Sequence, residues 1–119
     1  MQTDLYIDGN WVPSQSAQRF DVMNPATEDV IASVASADVF DADLALNAAS
    51  TAMQEWAARS PRDRSEVLRK AWELMTARLP EFARLITLEN AKANADAMGE
   101  ATYAAEFFRW FAEEAVRVD

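Results

Sequence analysis

The 119-residue sequence contains no cysteine and no histidine. Without cysteine there is no disulfide framework and no thiolate nucleophile, a composition that suits a reducing compartment. Without histidine the commonest general base and the commonest transition-metal ligand are both missing. Glycine is almost as scarce, with only Gly9 and Gly99. Neither a phosphate loop nor a dinucleotide-binding fingerprint can be written with two. No apolar run approaches the length of a membrane span. The first residues carry Asp4 and Asp8 rather than a basic segment, so no signal peptide is expected. Positive charge is short as well, 11 basic residues against 20 acidic ones and a net charge of −9. The basic residues are nearly all arginine and form no stripe, which argues against nucleic acid and anionic membrane as partners. The expected location is the cytoplasm.

What is present is ordinary for a globular protein: half the residues are hydrophobic and a quarter are charged. The length suits one small domain with a limited core. "LYIDGNWVP" predicts two short strand arms around a turn at Asp8-Gly9-Asn10. "RFDVMNPATEDVIASVAS" predicts an alternating strand through Phe20 and Val22, a turn at Asn24-Pro25, and a second strand through Val30, Ala32 and Val34. Strands are thus expected within 4–35 and helices within 37–118. The first helix is expected to begin at a capping Ser36 and to carry Ala45, Ala49, Ala52 and Trp56 on one face. "SPRD" marks the next start, with Ser60 as N-cap, Pro61 at the first helical position and Asp63 at the third. Val67, Leu68, Ala71, Trp72, Met75 and Leu79 form its apolar stripe. Pro80 opens or kinks the following piece, where Phe82, Leu85, Ile86 and Glu89 recur at helical spacing. Strands first and helices after them give an α+β fold.

The last helix, expected over Gly99 to Val118, is anomalous. At about 100° per residue, Tyr103, Ala104, Phe107, Phe108, Trp110 and Phe111 cover close to half its circumference. The polar stripe is narrow: Thr102, Glu106, Arg109 and Glu113, with Glu106/Arg109 and Arg109/Glu113 at pairing distance. A helix of this kind is built to be covered on most sides. Either it is the core of a compact bundle, or its partner lies in polypeptide outside these residues. Glu100 and Glu114 share the apolar face, where a carboxylate is costly unless paired or solvated. Glu100 reads either as a first-turn residue favoured by the helix dipole or as the rim of a pocket.

Taken together, "LYIDGNWVPS", "FDVMNPATEDVIASV" and "LENAKANADAMGEATYAAEFFRWFAEEAVRV" resemble the N-terminal quarter of NAD(P)-dependent aldehyde dehydrogenases. The final run, GE-x-x-YAA-x-F-x-x-WFAEEA-x-R, is most similar to the succinate-semialdehyde dehydrogenase branch. The resemblance spans essentially the whole sequence. It implies a family chemistry in which a cysteine thiolate attacks the aldehyde, hydride passes to NAD or NADP, and a glutamate-activated water hydrolyses the thioester. The catalytic cysteine and glutamate and the cofactor-binding units would lie in later polypeptide. The expectation is therefore a fragment or truncated relative that binds no cofactor and is inactive alone.

The resemblance also implies two sites. An alkali cation would be held by the Val22 backbone carbonyl, two residues before the "NP" turn, and by Glu89, the acidic residue after "TL". A third ligand would come from outside these residues, and hard oxygen donors suit such an ion. Glu100, Tyr103 and Phe107 match the wall of the aldehyde entrance. One departure stands out: "GKP" is usual where this sequence has Ala91-Lys92-Ala93. Losing Gly and Pro removes a helix stop and predicts a weaker break before the last helix. For partners, the resemblance implies the remaining catalytic portion, and the width of the aromatic face implies a homo-oligomer through the final helix. The alternative function is a free-standing helical interaction or scaffold module.

Overall fold

The computed structural model describes residues 2–117, which form two antiparallel strand pairs and four helices. The residues group into two compact units, one running to Ala57 and the other from Ala58 on.

In the first unit β1 (Leu5–Ile7) pairs with β2 (Asn10–Val12), and β3 (Arg19–Met23) with β4 (Val30–Ala35). Asp8 and Gly9 both adopt positive φ, 50° and 76°, as the tight hairpin turn that suits strand twist requires. The second turn is closed by the Asn24 amide donating to the Asp29 carbonyl, and the Asn24 side chain accepts from the Ala26 amide. Arg19 ties the two pairs together, donating to Asp4, to the Thr3 hydroxyl and to the Ser33 carbonyl.

Helix α1 (Val39–Ala58) starts later than its sequence suggests. The cap is Asp38, not Ser36: its carboxylate accepts from the Phe40 and Asp41 amides, while Asp41 accepts from the Asp38 amide in return. This reciprocal arrangement satisfies more orphan amides than a lone serine would. Asp41 also accepts from the Gln15 amide and is the buried residue of the helix. The expected face of Ala45, Ala49, Ala52 and Trp56 is exposed.

The second unit is a three-helix cluster of α2 (Pro61–Ala77), α3 (Leu79–Asn90) and α4 (Asn94–Glu114), with α4 packed on both others. Ser60 caps α2 as expected, its hydroxyl accepting from the Asp63 amide. Leu68, Ala71, Trp72 and Met75 are half-buried along α2. Val67 is exposed, and Leu79 falls in α3. The break after α3 persists without glycine: Ala91 takes the left-handed conformation itself, with φ 54° and ψ 22°. Helix α4 then begins at Asn94, five residues before Gly99, because "ANADAM" is rich in good helix formers. It closes at Glu114 rather than continuing to Val118, which lies outside the described residues.

Candidate functional site

The chemistry-bearing residues of the second unit sit on α4, whose circumference divides into three sectors. Ala97, Ala101, Ala105 and Ala112 are buried and form the seam that lets α4 approach its neighbours closely. Alanine, not aromatic, is the packing surface. A second sector holds the ion-paired polar residues: Arg109 donates to Glu106 at 2.6 Å and to Glu113 at 3.0 Å. Hydrogen bonding from Arg109 holds the Glu106 carboxyl below its usual range, opposed by desolvation and aided by the Arg109 charge and the Trp72 indole N–H. The Arg109 guanidinium is correspondingly raised, first through its hydrogen bond with Glu106.

The third sector is the aromatic one, and it is open. Tyr103 is 67% exposed, Phe107 47%, Trp110 58% and Phe111 55%. The reading of this helix as a covered bundle core therefore fails. Its alanines already fill the interhelical space and leave the large rings nowhere to insert. Tyr103 and Phe107 pack edge to face, with centroids 4.9 Å apart and planes at 77°, a favourable arrangement for two exposed rings. Glu100 lies on the same stripe, so the structure brings the three expected entrance-wall residues onto one face. Since α4 starts at Asn94, Glu100 is beyond the first turn, and its carboxylate is paired with Lys92 across the α3–α4 break. The sequence reading missed Lys92 as that partner. Its signal was a lone cation just before a helix start, which is too common to single out.

The two expected cation ligands sit in different units. Val22 lies on β3 beside a register irregularity, where its pairing with Ala32 gives way to Met23 opposite Val30. The extra residue, Ile31, belongs to β4, opposite Val22 and Met23. Glu89 is exposed one residue from the end of α3. Among the described residues no group of three or more His, Cys, Asp or Glu side chains could hold a metal ion. The two glycines fit no nucleotide loop either: Gly9 is in the β1–β2 turn and Gly99 is inside α4.

A family model for the aldehyde dehydrogenase family matches residues 11–119. The chain belongs to the aldehyde dehydrogenase family. Among its relatives, the glutarate-semialdehyde dehydrogenase of Pseudomonas putida is 42% identical over 113 residues, covering 95% of this chain and 24% of that protein. The succinate-semialdehyde dehydrogenase of Paenarthrobacter nicotinovorans is 52% identical over 88 residues, 74% of this chain and 20% of its own length. A solved structure of an Escherichia coli NADP-dependent enzyme superposes with a TM-score of 0.96 at 36% identity, covering 99% of this chain and 24% of that one. The chain thus spans about a quarter of the length of the curated relatives it matches. Its strand pairs and helices correspond to the N-terminal portion of aldehyde dehydrogenase structures. The family is NAD(P)-dependent. No helix of the described residues is long and apolar enough to cross a membrane.

Proposed function

We propose that the chain is the N-terminal segment of a cytoplasmic aldehyde dehydrogenase that oxidises small acidic semialdehydes, such as succinate or glutarate semialdehyde, with NAD or NADP. By itself it would bind no cofactor and turn over no aldehyde. The family match over residues 11–119 carries the proposal, and the semialdehyde relatives favour the substrate class. Without cysteine the chain supplies no thiolate to attack a carbonyl carbon. Its part in the reaction is structural and positional. Tyr103 and Phe107 offer an apolar wall along which an aldehyde approaches, and the Glu100–Lys92 pair forms its charged margin. A structural alkali cation would take the Val22 carbonyl and Glu89 as two of its oxygen ligands in the complete enzyme, with a further ligand from later polypeptide.

The test exchanges this chain for the corresponding segment of the Pseudomonas putida glutarate-semialdehyde dehydrogenase, with the isolated chain assayed alongside. The chimera is expected to reduce NAD or NADP with glutarate semialdehyde, and Tyr103→Ala within it to raise KM more than it lowers kcat. The isolated chain is expected to give background rates only. Turnover by the isolated chain, or a folded chimera with no activity, would overturn the proposal.

A further inference from the structure

Lys92 is the one charged residue between α3 and α4. Its ammonium donates to a carboxylate oxygen of Glu100, eight residues on. Glu100 lies about 9 Å along the axis from the start of α4 at 1.5 Å per residue, so the lysine stem reaches forward beside the helix. Both side chains stay half-exposed, Lys92 at 40% and Glu100 at 47%. An ion pair that open contributes little to stability, and its place on the helix gives it a different use. We propose that Lys92 selects acidic semialdehydes by binding the substrate's remote carboxylate beside the Tyr103–Phe107 rings, while Glu100 holds the ammonium in position. The proposal rests on the reading of this stripe as the aldehyde entrance and names the group that senses substrate charge there.

An ammonium has three N–H donors. Glu100 accepts one of them, which leaves donors for a second carboxylate. Succinate and glutarate semialdehyde each carry a carboxylate at the end remote from the aldehyde. Tyr103 and Phe107 offer that end ring surface but no charge. At about 100° per residue, Phe107 stands within about 20° of Glu100 and Tyr103 within about 60°, so the ion pair and the rings share one stripe. Arg109 is the one cation within α4, and it stands about 180° around the helix from Glu100. It already serves Glu106 and Glu113. Lys92 is therefore the cation that accompanies this stripe.

Charge makes the lysine necessary as well as available. A bare Glu100 would repel an anion moving along the rings. Two unit charges about 5 Å apart in a largely aqueous setting change an affinity roughly three- to tenfold. Paired with Lys92, Glu100 presents no net charge and the repulsion is removed. Glu100 also fixes a flexible four-carbon stem before the substrate arrives, which lowers the ordering cost of binding. An uncharged aldehyde of the same length gains nothing from either effect. The discrimination is thus between charged and uncharged substrates, a difference of two affinities rather than tight binding of one.

The test uses the chimera with the Pseudomonas putida enzyme and compares glutarate semialdehyde with its methyl ester, which keeps the aldehyde and the carbon chain but not the charge. Lys92→Met should lower the acid-to-ester ratio of kcat/KM roughly three- to tenfold, through KM rather than kcat. Lys92→Arg should restore most of that ratio. Raising the ionic strength should lower the ratio of the unsubstituted chimera and leave that of Lys92→Met nearly flat. Tyr103→Ala should lower kcat/KM for acid and ester together, so it reports on the wall independently of charge. An unchanged ratio in Lys92→Met, with Tyr103→Ala impairing both substrates, would overturn the role of Lys92 and leave the wall standing. If Tyr103→Ala impairs neither substrate, the entrance reading itself fails and the role of Lys92 falls with it.

Discussion

The Ser65 hydroxyl donates to the Ala112 carbonyl at 2.7 Å, a buried bond that ties α2 to α4. The last carbonyls of a helix have no intrahelical donor and must be satisfied from elsewhere. Here the Ala115 amide serves Phe111, the Arg117 amide serves Glu114, and Ser65 reaches across from another helix to serve Ala112. One side chain therefore both caps α4 and fixes its height along α2.

Ser65→Ala is expected to lower stability by about 1–2 kcal/mol, because it strands a buried acceptor as well as deleting a bond. Urea denaturation followed by far-ultraviolet circular dichroism measures it. A change within a few tenths of a kcal/mol would show that water reaches the Ala112 carbonyl freely.

How far the sequence disclosed this arrangement varies by element. The two hairpins and the Ser60-Pro61-Asp63 start were legible because their signals are local: positive-φ residues between strand formers, and a cap with proline one residue on. The ion pairs of Arg109 followed from helical spacing alone. The packing face of α4 did not. Alanine is invisible to a reading that weighs apolar bulk, so Tyr103, Phe107 and Trp110 drew the eye while Ala101 and Ala105 formed the actual seam. Asp38 was passed over for Ser36 because the choice depends on the reciprocal bond from Asp41, a contact rather than a composition. That Val22 and Glu89 fall in separate compact units was likewise not legible, since no local pattern marks the division at Ala57.

Ala91 predicts an improvement. Its left-handed conformation costs a residue with a Cβ on the order of 1–3 kcal/mol, which glycine avoids. Ala93, at φ −58°, already has the geometry that proline imposes. Restoring the family's pattern with Ala91→Gly and Ala93→Pro should therefore stabilise the unit. After the entropic penalty of glycine, the first change is expected to contribute about 1 kcal/mol. The second adds roughly 0.4–1 kcal/mol by restricting the unfolded chain. Thermal melting of both single variants and the double variant checks this. A lower melting temperature for Ala91→Gly would mean that the methyl group makes a contact worth more than the strain.

Glu106 predicts the direction of the acid response. Its carboxyl is held below the usual range mainly by hydrogen bonds from Arg109, so the native state favours its charged form. A depressed pKa contributes stability that is complete above the unfolded value, about 4.3 for glutamate, and is lost as pH falls through the lower folded value. Glu81, drawn down by its hydrogen bonds from Arg78, acts in the same direction. Both groups are exposed and screened, so the effect is modest and should shrink further in high salt. The expected outcome for Glu106→Gln is a variant less stable than wild type near neutral pH, with the gap closing as pH drops below about 4. Denaturation midpoints across that range, at low and at high ionic strength, measure the gap. A gap that widened on acidification would mean that Glu106 is held in its protonated form, and that Arg109 takes its partner from Glu113 instead.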